Sequence, residues 1–269
     1  MHMKPGSETP AVRDFLDRLA ASSRYSFSTG EALTELGISQ TAWYMALSRL
    51  TRQERIASPT RGFHVIVPPE YRALACLPAD QFIPDLMKRL KLRYYAGLLT
   101  AAQYHGAAHQ RPMEFQVVVQ KPRRPIVCGG VRVAFIVRKN VSRVPVQTLN
   151  TLRGSIVVST PEVTAIDLVG YPRHAGGFSQ VTTVLAELAE RIDPKKLARA
   201  ADRAPVPWLQ RLGYVLDHVG AADKTLALSA FVRKHAHEPV PLVPGARYRK
   251  SSRDSQWRVY VNAKVEADL

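Results

Sequence analysis

The feature of this sequence that most constrains its fold is an amphipathic stretch over residues 40–54. Its apolar residues recur at positions i, i+3, i+4 and i+7, the spacing that places side chains on one face of a helix. Ser39 stands directly before the stretch and is a residue type favoured at a helix N-cap. The sequence therefore predicts a helix whose buried face is formed by Trp43, Ala46, Leu47 and Leu50.

Two further helices are predicted before this one. Residues 10–22 carry an apolar stripe at the same helical spacing. Ser28 and Glu31 then form a capping box, in which each side chain can satisfy a backbone N–H of the first turn. Gly37 favours a sharp turn between the second helix and the third, because glycine adopts a left-handed backbone conformation at little cost.

A β-hairpin is predicted directly after the third helix. Residues 55–58 and 63–67 have the character of strands, and residues 59–62 favour a tight turn between them. The prolines at 68–69 end the second strand, since proline cannot continue a paired strand. Three helices followed by a hairpin predict an N-terminal winged helix-turn-helix domain over residues 1–72.

The remainder, residues 73–269, is predicted to be a larger mixed α+β domain. Its strands are grouped rather than strictly alternating with helices, which favours the α+β class over a doubly wound sheet. Helices are predicted near residues 78–91, 94–106, 161–170, 178–191, 194–203, 207–219 and 223–236. Strands are predicted at residues 115–120, 131–137, 155–158, 246–250 and 257–261.

The charge of the chain is strongly positive and unevenly distributed. The 38 Lys and Arg residues exceed the 22 Asp and Glu residues, which gives a net charge of +16. Residues 1–85 hold nine basic and nine acidic residues, so the whole excess lies in residues 86–269. A surface of this kind attracts polyanions, with nucleic acid ahead of anionic membranes.

The sequence contains no indication of export or of membrane insertion. No apolar run reaches the ~18 residues that a membrane span needs, and the N-terminus lacks a basic stretch followed by an apolar one. Cys76 and Cys128 lie far apart, with no Cys or His at metal-ligand spacing. A reduced, cytoplasmic setting is the simplest interpretation.

The outward face of the third helix is the predicted DNA-contacting surface. Arg, Gln and Ser can hydrogen-bond base edges, and Thr, Tyr and Arg can bind phosphates. Few acidic residues interrupt this face, although a solvated face of a protein-interaction module would have a similar pattern. The predicted contacts on the helix and at the tip of the hairpin are Ser39, Gln40, Thr41, Tyr44, Ser48, Arg49, Arg52 and Arg61.

Basic clusters after residue 85 form a second predicted DNA surface. A winged helix without net charge would bind DNA weakly, because counterion release scales with the number of phosphates neutralised. Backbone contacts are therefore expected from these clusters, although a merely solubilising surface explains each of them equally well. The candidates are Lys88, Arg89, Lys91 and Arg93, then Lys121, Arg123 and Arg124, and finally Arg138 with Lys139.

No catalytic, cofactor or metal site is predicted. His105 and His109 have the spacing of a helical metal pair, but Gly106 interrupts the helix pattern and no nearby carboxylate completes a site. Residues 159–162 fit a helix start. An alternative is an enzyme that processes nucleic acid and is targeted by the winged helix, which needs converging acid and base groups. Its conceivable groups are Glu114, Lys121, Glu162 and Asp167.

An ordered series of motifs runs through the larger predicted domain. It comprises YYAGLLTAA at residues 94–102, HGAAHQ at 105–110, FQVV at 115–118, STPEVTAIDLV at 159–169, GG at 176–177 and LQRLGY at 209–214. This series resembles the AbiEi family of antitoxins, from type IV abortive-infection toxin–antitoxin systems. With the predicted winged helix, the resemblance covers nearly the whole chain.

The resemblance implies two functions. The winged helix would bind inverted repeats in the promoter of its own operon, as a monomer in solution that binds DNA cooperatively and with help from a basic surface. The C-terminal domain would counteract a nucleotidyltransferase-like toxin of the AbiEii type, and type IV implies that no stable complex is required. The family's recognition-helix and wing positions match Gln40, Thr41, Tyr44, Ser48, Arg49 and Arg61.

Overall fold

The computed structural model describes residues 10–107 and 112–265 as a mixed α+β protein. In chain order the helices are α1 (Pro10–Ala21), α2 (Thr29–Leu36), α3 (Gln40–Arg52), α4 (Ala79–Arg89), α5 (Leu98–Tyr104), α6 (Pro161–Gly170), α7 (Phe178–Leu188), α8 (Pro194–Ala201), α9 (Val206–His218) and α10 (Leu226–His235).

The strands are short and are grouped along the chain. They are β1 (Ser26–Ser28), β2 (Ile56–Thr60), β3 (Phe63–Ile66), β4 (Tyr94–Ala96), β5 (Phe115–Val119), β6 (Ile126–Cys128), β7 (Val131–Val137), β8 (Val146–Thr151), β9 (Gly154–Ser159), β10 (Val240–Pro241), β11 (Arg253–Asp254) and β12 (Val259–Tyr260). In the described parts of the chain, no helix combines the length and the apolar character that a membrane crossing needs.

The chain divides into two compact units that are discontinuous in sequence. The first contains the residues up to Leu92 together with Arg123–Phe135 and Leu149–Ile156. The second contains Arg93–Pro122, Ile136–Thr148 and the residues from Val157 onward. The predicted boundary between residues 72 and 73 therefore lies inside the first unit.

The N-terminal part of the first unit packs three helices on a small antiparallel sheet. The sheet has the order β1-β3-β2, with Phe27 opposite His64 and Ala57 opposite Val65. Its core is aromatic, because the ring of Phe27 lies 5.3 Å from Phe15 and 5.9 Å from the Trp43 ring of α3. The apolar residues predicted to face inward are buried, except Leu47, which is partly buried.

The helix ends of this region follow the predicted Ser28 cap and Gly37 turn, but the Glu31 carboxylate of the predicted capping box pairs with Arg24. The Ser28 hydroxyl oxygen accepts a hydrogen bond from the Glu31 backbone N–H at 3.1 Å, which satisfies one donor of the first turn of α2. Gly37 ends α2 in the left-handed conformation, with φ of 61°. The hairpin differs in one detail: β2 continues through Thr60, so Arg61 and Gly62 alone form the turn between the strands.

The second unit has a helical core beside short strands. β4 pairs antiparallel with β5 and parallel with β9, where Ala96 lies opposite Val158. Helix α6 begins at the predicted residue, Pro161, and nearly all of its side chains are buried. It contacts α5, α7, α8 and α9. The C-terminal strands form a separate small sheet in the order β10-β12-β11.

Two predicted elements are wrong. The sequence predicts one helix over residues 94–106, but Tyr94–Ala96 forms the strand β4, and α5 begins only at Leu98. Gly97 separates the two with an extended backbone, and its lack of a side chain leaves room for Val118, since a Cβ at this position would lie 2.6 Å from that side chain. The predicted strand at 246–250 is absent from the described residues, and the last sheet instead uses β11.

Candidate nucleic-acid interface

Helix α3 is held in place by its start and by its buried face. The Ser39 hydroxyl oxygen accepts a hydrogen bond from the Ala42 backbone N–H at 3.2 Å, so this predicted contact residue also caps the helix. Trp43 and Leu50 are buried in the core of the first unit. The opposite face of the helix is therefore fixed in direction by packing.

The side chains predicted to contact DNA on α3 are all exposed. Tyr44 and Met45 have 47% and 64% of their surface exposed, which is unusual for large side chains and marks a face that none of the described residues covers. The Gln40 amide donates a hydrogen bond to the Tyr44 hydroxyl at 3.3 Å. The other exposed residues of this face are Ser39, Thr41, Ser48, Arg49 and Arg52.

The turn of the β2–β3 hairpin presents Arg61 to solvent. Gly62, the second turn residue, has φ of 73°, a conformation that residues with a Cβ adopt at a cost. The Gly62 carbonyl oxygen accepts a hydrogen bond from the Thr29 backbone N–H at 3.2 Å, which ties the turn to the start of α2. The position of Arg61 is thereby fixed relative to the helices.

The basic C-terminal end of α4 lies beside this turn. The Ser26 hydroxyl donates a hydrogen bond of 2.6 Å to the Asp85 carboxylate, which joins α4 to β1. A Cβ placed on Gly62 would lie 4.0 Å from a guanidinium nitrogen of Arg89. Because Lys88 and Arg89 are exposed, their charges extend the basic surface of the hairpin turn.

The other predicted basic residues differ in their surroundings. Arg123 is half-buried, with its guanidinium 5.7 Å from the centre of the Phe135 ring, so part of this side chain is engaged in packing. Arg124 is exposed and belongs with Arg123 to the first unit. The remaining exposed members are Lys91 of the first unit, and Arg93 and Lys121 of the second.

The charge of the first unit differs from that of residues 1–85. Its later segments, 86–92, 123–135 and 149–156, add basic residues and no acidic ones. The unit as a whole contains sixteen basic and nine acidic residues, a net charge of +7. Part of the basic charge outside residues 1–85 that was expected to attract DNA therefore belongs to the same unit as α3.

A buried histidine supports the sheet behind α3. The His64 ring nitrogens hydrogen-bond the Thr29 and Ser58 hydroxyls, each at 2.8 Å, and the ring packs against Phe27 and Trp43. Burial, with a smaller contribution from the positive charge of Arg89, lowers the pKa of His64 to about 4. No sequence pattern marked this residue, because its partners come from four separate elements.

Arg138 is not part of a basic surface, which corrects one predicted cluster. Its side chain is buried in the second unit and forms an ion pair with the fully buried Asp167. Tyr95 donates a hydrogen bond of 2.7 Å to the other Asp167 oxygen and accepts one of 3.2 Å from Arg138. Burial raises the pKa of Asp167 to about 6, although Arg138 opposes this effect. Lys139 is exposed.

The groups considered for catalysis have structural partners or stand exposed. Both carboxylate oxygens of Asp167 accept hydrogen bonds. Glu162 is buried and accepts a hydrogen bond from the Asp193 backbone N–H at 3.1 Å. The alternative's remaining groups, Glu114 and Lys121, are exposed.

The histidine pair considered for metal binding is only half within the described residues. A His105 ring nitrogen hydrogen-bonds the Ser159 carbonyl oxygen at 2.8 Å, and burial lowers the pKa of His105. His109 lies outside the part of the chain that the structure describes. Within that part, no three His, Cys, Asp or Glu side chains come together as a metal site.

Comparison with known protein families finds a match for part of the chain. Residues 95–218 match the family model described as the AbiEi antitoxin C-terminal domain. For these residues, the resemblance to the AbiEi family predicted from the motifs is confirmed. The buried trio of Tyr95, Arg138 and Asp167 lies within the matched residues.

A solved structure shares the fold. The chain is similar to the crystal structure of the RV2827C protein from Mycobacterium tuberculosis, with a TM-score of 0.66 and 17% sequence identity. The match covers 94% of this chain and 92% of that chain. At this identity the likeness concerns the fold alone. No curated protein matches the sequence.

Proposed function

We propose that residues 1–72 form a winged helix-turn-helix domain that binds promoter DNA. In this proposal α3 is the recognition helix and the β2–β3 hairpin is the wing. The order of helices and strands and the β1-β3-β2 sheet support it, because this arrangement buries one face of α3 and leaves the other free for a groove.

The observation that carries this proposal is the uncovered outer face of α3. Tyr44, Ser48 and Arg49 are exposed on a helix whose other face is buried, and they offer a phenol, a hydroxyl and a guanidinium. Arginine can donate two hydrogen bonds to guanine, and hydroxyl groups bind bases or phosphates. A helix face that contacts only solvent would be exposed in the same way. The experiment must therefore measure DNA binding itself.

The domain match supports the second half of the proposal. We infer that the chain is a type IV antitoxin and autorepressor, whose C-terminal domain counteracts a nucleotidyltransferase-like toxin of the AbiEii type. The N-terminal domain binds inverted repeats in the promoter of its own operon. The chain acts in the cytoplasm without catalysis, as a monomer that binds DNA cooperatively, and no stable complex with the toxin is required.

The basic clusters contribute non-specific attraction in this proposal. The first unit carries a net charge of +7, and Lys88 and Arg89 lie next to the proposed wing. Contacts of such residues with phosphates release counterions and strengthen binding to any DNA sequence. The specific contacts of α3 then distinguish the operator from other DNA.

The test is a binding titration of the full chain with the DNA that precedes its own operon and with a scrambled duplex. The expected result is tighter binding to the promoter duplex. Arg49→Ala should weaken promoter binding by about 1–3 kcal/mol and bind the scrambled duplex nearly unchanged. Equal affinity of the wild type for both duplexes would contradict sequence-specific recognition.

A matched control is available in the same unit. Arg13 of α1 is exposed and lies 3.8 Å from Asp17 on the same helix. Arg13→Ala removes the same charge from the unit but not from α3, so it should leave the preference for the promoter unchanged. If both variants lose affinity equally on both duplexes, Arg49 contributes charge and does not read bases.

The antitoxin function is tested separately in cells. Co-expression of the full chain should restore growth to cells that express the toxin encoded beside it. Arg49→Ala should still restore growth, because the proposed recognition helix lies outside the matched antitoxin domain. Loss of rescue by this variant, with normal amounts of protein, would show that the two functions share the same surface.

A further inference from the structure

The two cysteines of the chain meet in the first unit although 51 residues separate them in sequence. Cys76 lies just before α4, and Cys128 is the last residue of β6. Their thiols lie within reach of each other, and neither forms a disulfide. The fold thus places two reduced cysteines side by side.

The backbone holds this pair together independently of the thiols. The Gly130 backbone N–H donates a hydrogen bond of 2.8 Å to the Leu74 carbonyl oxygen. A Cβ on Gly129 would lie only 2.1 Å from the same oxygen, and Gly129 has φ of 55°. The two segments can approach this closely only because residue 129 has no side chain.

The two thiols differ in access and in acidity. Cys76 is fully buried, whereas Cys128 is only partly buried. The hydrogen bond from Cys76, assisted by one from the Ser58 backbone N–H, lowers the pKa of Cys128 although burial opposes this. The same pairing, together with burial, raises the pKa of Cys76. An accessible thiol of lowered pKa beside a second thiol is the arrangement of redox-responsive cysteines.

We propose that Cys128 and Cys76 form an oxidation site for hydrogen peroxide, at which Cys128 reacts first and Cys76 then closes an intrachain disulfide. The Cys128 thiolate attacks one peroxide oxygen, the O–O bond breaks, and the departing hydroxide takes up the thiol proton as water. The Cys76 sulfur then attacks the Cys128 sulfenic acid. The S–O bond breaks, and the leaving hydroxide takes the Cys76 proton as a second water.

The disulfide would close a covalent loop from Cys76 to Cys128 within the first unit. It would tie the β6–β7 hairpin to the segment before α4. Ser58, whose backbone N–H contacts the Cys128 sulfur, belongs to β2 and also hydrogen-bonds His64. The oxidised sulfur pair therefore lies against the sheet that supports α3.

The experiment treats the folded, fully reduced chain with hydrogen peroxide and maps its peptides by mass spectrometry without reduction. The expected result is the loss of both free thiols and a single linked pair of peptides that contain Cys76 and Cys128. The chain should stay monomeric on a non-reducing gel. Persistence of both thiols, or disulfides only between chains, would overturn the proposal.

Two variants test the order of reaction. In Cys76→Ala, Cys128 should accumulate as a sulfenic acid that a dimedone probe labels. In Cys128→Ser, Cys76 should keep its thiol, because it is buried. Circular dichroism confirms that each variant is folded, and labelling of Cys76 in a folded Cys128→Ser chain would contradict the proposed order. If a variant does not fold, the wild-type peptide map decides whether the disulfide forms.

Discussion

The imidazole ring of His64 lies 5.6 Å from the indole ring of Trp43, edge to face, and both side chains are buried. This contact joins β3 to α3 behind the surface that carries Tyr44 and Arg49. The histidine also bonds hydroxyls of α2 and β2. A buried imidazole with a lowered pKa is therefore part of the packing that supports α3.

We predict that acidification destabilises the fold through His64. Its pKa in the folded chain, about 4, is below the ordinary value of 6.5, so the unfolded chain binds the proton more readily. The stabilisation is complete above pH 6.5 and is lost as the pH falls toward 4, by up to roughly 3 kcal/mol. Urea unfolding at several pH values across this range measures it.

The variant His64→Gln isolates this effect, because glutamine keeps a hydrogen-bonding side chain and does not titrate. The difference in unfolding free energy between the wild type and this variant should shrink as the pH falls. Other groups, such as Asp167 with its raised pKa, affect both proteins alike and cancel. A difference that stays constant with pH would contradict the assignment.

We predict that Lys88 and Arg89 set part of the salt dependence of DNA binding. Replacement of both by alanine should weaken binding to promoter and scrambled DNA alike. It should also reduce the slope of log K against log salt by about 1 for each phosphate that is no longer neutralised. Titrations at several salt concentrations measure the slope.

The matched control for this prediction lies in the second unit. Lys195 and Lys196 are exposed neighbours there, and their double alanine variant removes the same charge. Equal slopes for the two variants would indicate a long-range effect of charge.

We predict that the buried ion pair is important for the stability of the antitoxin domain. Asp167→Ala leaves the Arg138 guanidinium buried without its counter-charge, which should cost about 3–5 kcal/mol in unfolding free energy. The double variant Arg138→Met with Asp167→Leu should recover much of this loss, because it leaves no unpaired charge. Denaturant unfolding measures both. A double variant that loses at least as much as Asp167→Ala would contradict this coupling.

We predict that Gly213 of α9 is required for close packing of Trp257. A Cβ at Gly213 would lie 2.1 Å from the indole ring, which is buried and donates a hydrogen bond of 2.7 Å to Asp217. Gly213→Ala should destabilise the fold by about 1–3 kcal/mol through overpacking. Thermal unfolding measures the change.

The control for this substitution is Gly30→Ala in α2. A Cβ there meets only the Ser28 hydroxyl at 3.9 Å, and the backbone is helical. The substitution should be neutral or stabilise the fold by about 0.5–1 kcal/mol, because alanine loses less entropy on folding than glycine. Equal losses at both positions would contradict the packing argument for Gly213.

The sequence predicts the local elements well because their causes are local. The spacing of Trp43, Ala46 and Leu50 fixes the buried face of α3, and Pro161 at the first position of α6 marks the start of that helix. The family resemblance likewise rests on short motifs. Each of these features depends on residues that lie only a few positions apart in the sequence.

What the sequence could not predict depends on distant partners. Arg138 sits beside Lys139 as if on a basic surface, yet it is buried because Asp167 and Tyr95 fold against it. The sequence of β4 fits the start of a helix. In the structure β4 pairs with β5 instead, and Val118 of β5 lies beside Gly97. No local pattern indicated that Cys76 and Cys128 would meet.

The first unit is formed by three separate segments of the chain, so it can be completed only late in synthesis. Its last segment, Leu149–Ile156, emerges from the ribosome only after more than half of the polypeptide has been translated. A nascent chain or a fragment that stops before this point lacks part of the packing around the N-terminal helices. A chain cut short before Leu149 would therefore carry α3 on an incomplete first unit, so the DNA binding proposed above should be weakened or lost.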